Sequence, residues 1–418
     1  MKKLLIATTC LIAPLPALAQ DPIAIKPLID ARLRWEDVDQ TGKPNNADAV
    51  TVRVRAGFEA QLPSKFSLLA EATGTLAIDN DYFNNTLKSG KPTALFPTVA
   101  DPQTIGLNRL QLAYKGVKNT VVTVGRQRIN IDDQRFVGSV NWRDNEQTFD
   151  AVRIETTPIK NLKAEVSYAI TDNTIFGIDG QFNAKGPITG HITGDNVFAT
   201  LGYTTKLGTL EGFSFIVNQN TPLRVQFSSK TFGGRFAGKY AFDKKTNLTY
   251  TLSYANESDV NLNPNRFSTN YYYGDVALNS HGWALGGGYE VLGSDTGGHN
   301  KTTNALTTVA FQTPLATLHK WNGWADIFLT TPANGLADAY GSIGYTLTKI
   351  KPLTSLGVSV IYHDYRSDVA NLHYGHEWDA QILAKYKKYA FTLKYAAYGA
   401  TAFATDTKKL WASIEWSY

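Results

Sequence analysis

From Val50 to Glu59 the chain alternates strictly, with Val50, Val52, Val54, Ala56 and Phe58 on one side and Thr51, Arg53, Arg55 and Glu59 on the other. A period of two marks an extended strand with one apolar and one polar face. Between Ile29 and Glu36 the same rule separates Ile29, Ala31, Leu33 and Trp35 from Asp30, Arg32, Arg34 and Glu36. It separates Leu110, Leu112 and Tyr114 from Arg109 and Gln111, and Phe391, Leu393 and Tyr395 from Thr392 and Lys394. Eighteen such segments are predicted, near 28–36, 50–61, 66–78, 106–115, 119–130, 147–156, 162–170, 196–204, 211–219, 230–240, 247–255, 269–278, 283–292, 338–348, 355–364, 376–386, 389–398 and 409–418.

The connections carry a second pattern. Short ones (62–65, 115–118, 157–161, 243–246, 349–354 and 387–388) alternate with long ones near 37–49, 79–105, 131–146, 171–195, 256–268, 293–337 and 399–408. Short turns on one side and long loops on the other are the arrangement of a transmembrane antiparallel β-barrel in an outer membrane. An even strand number puts both strand-bearing ends on the periplasmic side. In hydrocarbon each unpaired backbone N–H or C=O costs several kcal/mol, so a spanning sheet must close on itself. The fold class expected is therefore all-β, a barrel of about eighteen strands around a water-filled lumen.

Composition agrees. The chain has no apolar run near the eighteen residues of a membrane helix, a slightly negative mean hydropathy, and eight tryptophans among abundant tyrosine and glycine. The start, MKKLLIATTCLIAPLPALAQ, reads as a signal peptide over 1–19: Lys2 and Lys3, an apolar stretch, then Ala17-Leu18-Ala19. Cys10 follows Thr8 and Thr9, a poor context for lipidation, and cleavage would remove the only cysteine and methionine. The expected organisation is this peptide followed by one barrel over 20–418 in the outer membrane of a Gram-negative bacterium. Net charge is +5, too mild to imply nucleic acid. At the end of the chain, Leu410, Ala412, Ile414, Trp416 and Tyr418 share one face and finish on an aromatic, a pattern resembling the last-strand signal read by the barrel assembly machinery. Outer-membrane lipid and lipopolysaccharide are the surrounding partners.

If the apolar faces meet lipid, the polar faces meet the lumen. Arg32, Arg34, Arg53, Arg55, Arg109, Arg126, Arg128 and Arg153 are then expected along the pore, with Glu59, Glu71 and Glu155 among them. Ten of the fourteen arginines precede residue 154. Guanidinium groups bind carboxylates in planar, two-bond fashion, whereas lysine is a flexible point charge. Such a wall suits anionic solutes that are held briefly and released; alternatively the arginines pair with the acids as a rigid wall. Arg135 and Arg143 fall in an external loop and are expected at the pore mouth. His319, Trp321 and Trp324 fall in another, read as a packed external lid in preference to a sugar-stacking gate.

The segments "GRQRI…RFVGSVNWRDNEQTFDAVRIE", "YEVLGSD" and "FQTPLATLHKWNGWADIFLTTPANGLADAYGSIGY" resemble the alginate export family of outer-membrane proteins. That resemblance implies an eighteen-stranded barrel with an arginine-rich lumen, through which export members pass an anionic uronate polysaccharide by diffusion. The alternative inside the transport class is a general or small-anion uptake porin. Enzyme activity is not expected, because there is no Gly-x-Ser-x-Gly, no telling His–Ser spacing and no isolated carboxylate pair. The His373-x-x-His376 spacing is a weak metal signal, and neither metal nor other cofactor is expected. A structural or adhesive barrel is the remaining class.

Overall fold

The alternating segments pair in chain order into one antiparallel sheet of eighteen strands that closes when the first strand meets the last. The computed structural model describes residues 23–86, 91–178, 180, 190–222 and 224–418; the expected signal peptide lies outside them. The strands are β1 (Ala24–Gln40), β2 (Ala47–Leu62), β3 (Phe66–Asp81), β4 (Thr104–Tyr114), β5 (Thr120–Gln127), β6 (Thr148–Ile159) and β7 (Leu162–Asn173). They continue with β8 (His191–Thr204), β9 (Thr209–Val217), β10 (Ser229–Ala241), β11 (Thr246–Asp259), β12 (Asn265–Arg266), β13 (Ser268–Ser280) and β14 (Trp283–Leu292). The last are β15 (Ser294–Asn300), β16 (Leu306–Ala310), β17 (Leu336–Thr348), β18 (Ser355–Arg366), β19 (His373–Tyr386), β20 (Tyr389–Ala400) and β21 (Thr407–Ser417). Strands β12, β15 and β16 form a small external sheet, and the other eighteen are the barrel.

Closure is set by register. β1 pairs with β2 from Ala24↔Gln61 to Val38↔Ala47, and with β21 from Asp30↔Ser417 to Gln40↔Thr407. No barrel edge is left to pair with another chain. The short turns bend through left-handed residues, Ser64, Asn119, Asn161 and Lys387 among them, a conformation that asparagine tolerates better than most side chains.

The faces separate as the alternation requires. Ile29, Leu33, Val54, Phe58, Leu110 and Val152 are exposed on the outside, where only lipid could cover such a surface, while Arg32, Arg34, Arg53 and Arg55 are buried inside. Tyr289, Trp378, Tyr395 and other outward rings supply interfacial aromatics. This exterior makes the chain a transmembrane barrel of outer-membrane type.

The interior departs from the expected water-filled lumen. A packed apolar cluster sits inside the barrel, joining wall residues Phe149, Phe198, Phe215, Tyr271 and Tyr365 to loop residues Phe311, Leu315, Trp324 and Phe328. The loops that alternation marks as external turn inward and fill much of the bore.

Candidate functional site

Two inward loops form the plug, 128–147 between β5 and β6 and 311–335 between β16 and β17. They are joined backbone to backbone: Val137 and Leu315 make a parallel bridge, the Gly138 N–H donates to the Leu315 carbonyl (2.9 Å), and the Thr317 N–H donates to the Gln134 carbonyl (3.1 Å). The Gln147 side-chain amide donates to the carbonyls of Gly138 and Leu315.

The first loop crosses the bore from wall to wall. Near one end, Arg135 donates to Glu290 on β14 (2.6 Å) and to Thr313 of the second loop (2.8 Å). Phe136 packs tilted against Phe213 and Phe215 and edge-on to Tyr271. At the other end, Arg32 on β1 donates to Asp144 (2.7 Å), Arg34 donates through both terminal nitrogens to the Trp142 carbonyl (2.7 and 2.8 Å), and Arg55 on β2 pairs with Glu146. Arg128 also closes on Glu146. Arg143 ties together Glu36 of β1 (3.0 Å), Asp101 of the segment before β4 (3.4 Å) and Asp326 of the second loop (2.9 Å).

The charges set each other's protonation. Burial alone would raise the Asp144 carboxyl, but Arg32 and Arg34 hold it well below the usual carboxylate range. Asp101 is pushed up, by burial first and then by the neighbouring Asp144. In the second loop His319 stacks on Trp142 (4.3 Å, 5° between planes), shares a proton contact with Asp326 (2.8 Å) and faces the Lys394 ammonium (2.7 Å). Burial holds the imidazole well below its ordinary value; Asp326 pulls the other way, while Lys394 and Arg143 oppose another positive charge. Asp326 is itself held low, against burial, by His319, Lys409 and Arg143.

Placed against expectation, the arginines divide. Arg32, Arg34 and Arg55 face inward but are bonded by the loop, at 6, 2 and 3 % exposure, and Arg53, fully buried, is held by Asp30 and Glu415 of the wall. Arg109, Arg128 and Arg153 face inward and stay partly open, with side-chain exposures of 15, 27 and 15 %. Glu71 takes Arg109 in a two-bond fork (2.9 and 2.7 Å), Glu155 and Glu165 hold Arg153, and Glu59 accepts from Gln61.

Arg126 is a correction. It lies directly opposite the outward Leu110 and opposite Asp150, which shares a face with the outward Val152, and forks onto Asp150 (2.7 and 2.9 Å) on the outer face. Opposed residues share a face, so Arg126 does not reach the lumen. Arg128 reaches it only because β5 has ended. On β4 a bulge opposite Glu71 and Ala72 lets consecutive Asn108 and Arg109 both bond Glu71.

The mouth residues are corrected too. Arg135, Arg143, His319 and Trp324 are buried within the bore, at 2, 6, 6 and 8 % exposure. Trp321 is half-buried, edge-on to Tyr273 and beneath Arg135. The 311–328 stretch is packed, as a lid should be, but between the walls. Inward carboxylates of the facing wall were not singled out from sequence: Glu257, Glu290, Asp338, Glu377 and Asp379 are all buried there. Their inward phase was legible; their loop partners were not. His363 is held by Asp338 (2.9 Å) and His373 by Asp364 (2.8 Å).

Above the plug a cavity of about 500 Å³ opens externally, bordered by Arg143, Asp172, Arg224, His319, Asp326 and Lys409. It is within the size range of small-molecule sites.

The alginate export family matches residues 31–165, the part of the chain from β1 into β7. The resemblance therefore stands for the arginine-bearing strands, and Phe311–Tyr345 lies outside the matched residues. No curated protein sequence matches the chain. Among solved structures, OccK1 (OpdK) of Pseudomonas aeruginosa superposes with a TM-score of 0.65 at 10% identity, covering 94% of this chain and 98% of that one. OpdK of the same organism solved with vanillate gives 0.66 at 10% identity, with the same coverages. OccAB4 of Acinetobacter baumannii gives 0.66 at 13% identity, covering 96% and 99%. The chain thus has the eighteen-stranded fold of these outer-membrane proteins.

Proposed function

We propose that the barrel is a passive channel for small anionic solutes, and not an open conduit for a polymer. The observation that carries this reading is the 128–147 loop, which spans the bore and is ion-paired to β1 and β2 on one side and to β14 on the other. A chain of linked sugars would need that loop to leave, giving up together its buried ion pairs to β1, β2 and β14 and its backbone bonds to the second loop. A small solute needs only the space beside it. Arg109, Arg128 and Arg153 keep partly open guanidinium groups there, each beside a carboxylate that competes with an anion and so permits release. The vanillate bound by OpdK, a small carboxylate, agrees in kind.

The uronate-export reading is supported by the family match over residues 31–165, which covers all three of these arginines. The C-terminal aromatic strand β21 fits recognition by the barrel assembly machinery in either case. Planar-bilayer recording separates the two readings. Anion-selective current carried by galacturonate, with no block by alginate oligomers, is the expected result. Cation selectivity would overturn the anion reading, and passage of the oligomers would overturn the size limit.

A further inference from the structure

The external cavity holds two polar groups that the plug does not use. Arg224 lies just before a short 3-10 turn (Val225–Phe227), its guanidinium over the Phe227 ring at 4.5 Å. Among the described residues its buried Nε has no hydrogen-bond partner. Asp172, at the external end of β7, is 2 % exposed, and its Oδ1 is likewise without one. Both border the same cavity. Every other strong cation there is occupied: Arg143 by Glu36, Asp101 and Asp326, and Lys409 by Asp326.

A buried guanidinium N–H and a buried carboxylate oxygen left unpaired each cost free energy unless something satisfies them. Much of the remaining wall is apolar, with Ile175, Phe176, Ile327 and Leu329, set among Thr98, Thr330 and Thr407. A sugar acid, hydroxylated on every side, would strand those hydroxyls that meet the apolar part of the wall. A flat apolar frame would not.

We propose that this vestibule is a capture site for an apolar-bodied hydroxy acid, its carboxylate on Arg224 and its hydroxyl donating to Asp172. The site stands outside the plug, so a solute would dwell here before entering the bore. This deepens the anion-channel reading and rests on it. Burial disfavours the charged form of Arg224, and Asp172 is the group that opposes this, so an incoming carboxylate adds a second favourable partner.

Calorimetric titration of the detergent-solubilised barrel tests the site without relying on conductance. The probes are 3-hydroxybenzoate, benzoate and galacturonate. We expect 3-hydroxybenzoate to bind most tightly and galacturonate most weakly. Arg224→Gln should weaken 3-hydroxybenzoate by about tenfold or more, the scale of a lost charge-assisted bond. Asp172→Asn should erase its advantage over benzoate. Leu329→Ser, at a position already 47 % exposed, should weaken both aromatic acids while the barrel still folds. Equal binding of galacturonate, or no effect of Arg224→Gln in a folded barrel, overturns the proposal. Anion-selective current in bilayers with no calorimetric binding would sink the capture site alone. Absence of anionic current would instead sink the channel reading.

Discussion

The wall from β1 to β6 and the wall from β11 to β19 face one another across the same bore, yet the first mixes inward arginines with carboxylates such as Asp30, Glu36, Glu71 and Glu155, whereas the second is dominated by carboxylates. The first presents Arg32, Arg34, Arg53, Arg55, Arg109 and Arg153; the second presents Glu257, Asp275, Glu290, Asp338, Glu377 and Asp379. The 128–147 loop is charged to match both. Asp144 and Glu146 meet the arginines, and Arg135 meets Glu290. The second loop meets the acidic wall with backbone N–H groups, Trp324 to Asp379 (3.1 Å) and Ala325 to Glu377 (2.7 Å). Two ways of satisfying buried charge therefore hold one plug. Ion pairs fix it to the arginine-bearing wall, and mostly peptide and amide donors fix it to the acidic one. Buried ion pairs add little net stability but penalise misplacement heavily, which suits a loop that must sit in one place.

Removing the bridge is the hardest test of this contrast. Replacing residues 132–145 with a short glycine linker should raise single-channel conductance, because it removes the segment ion-paired to both β1 and β14 while leaving the 311–335 loop tied to β14 through Asn322 and to β21 through Asp326. Unchanged conductance would mean the loop does not obstruct the path. A narrower break is Glu290→Ala, which strands buried Arg135 at a cost of about 3–5 kcal/mol to loop docking. It should appear as noisy gating and new protease cleavage in the 128–147 loop, with the barrel intact. Silent gating and no cleavage would show that the acidic wall does not hold the loop.

Charge reversal sharpens the register. Arg128→Glu should move the reversal potential toward cations, whereas Arg126→Glu, on the outer face, should leave it unmoved. Equal shifts from both would contradict the pairing of β5 with β4 and β6. The smallest effect expected is on pH. His319 is held below its ordinary value of 6.5, so the unfolded or undocked loop binds the proton more readily. Docking stability is then full above that value and is lost as pH falls through it. Asp326, held low, adds stability that is present above the ordinary carboxylate range and lost only at much lower pH. Open-channel noise should rise on acidification below about pH 6.5, and His319→Gln should abolish that first step.

How legible the molecule was varied by level. Each alternating segment became a barrel strand, because in a sheet with lipid outside, period two is enforced at every residue and a slip would put charge into hydrocarbon. The exceptions came where the period breaks. At Asn108 a bulge changes phase within β4, so Ile105 and Leu107 face outward with Leu110 and Leu112. At Arg126 the eye follows the run Arg126, Arg128 as one face, although the strand ends between them.

The sequence by itself determined the barrel, its strand number, its greasy exterior and the concentration of arginine on the first strands. All of these follow from local alternation, which needs no knowledge of distant neighbours. Only the tertiary structure decided that the arginines are capped, that the loops descend between the walls, and that Arg224 and Asp172 share a cavity. Those arrangements join residues far apart in the chain, more than a hundred positions for Arg32 with Asp144 and for Arg135 with Glu290. Charge fixes whether two such groups attract, but the closed sheet fixes whether they can meet.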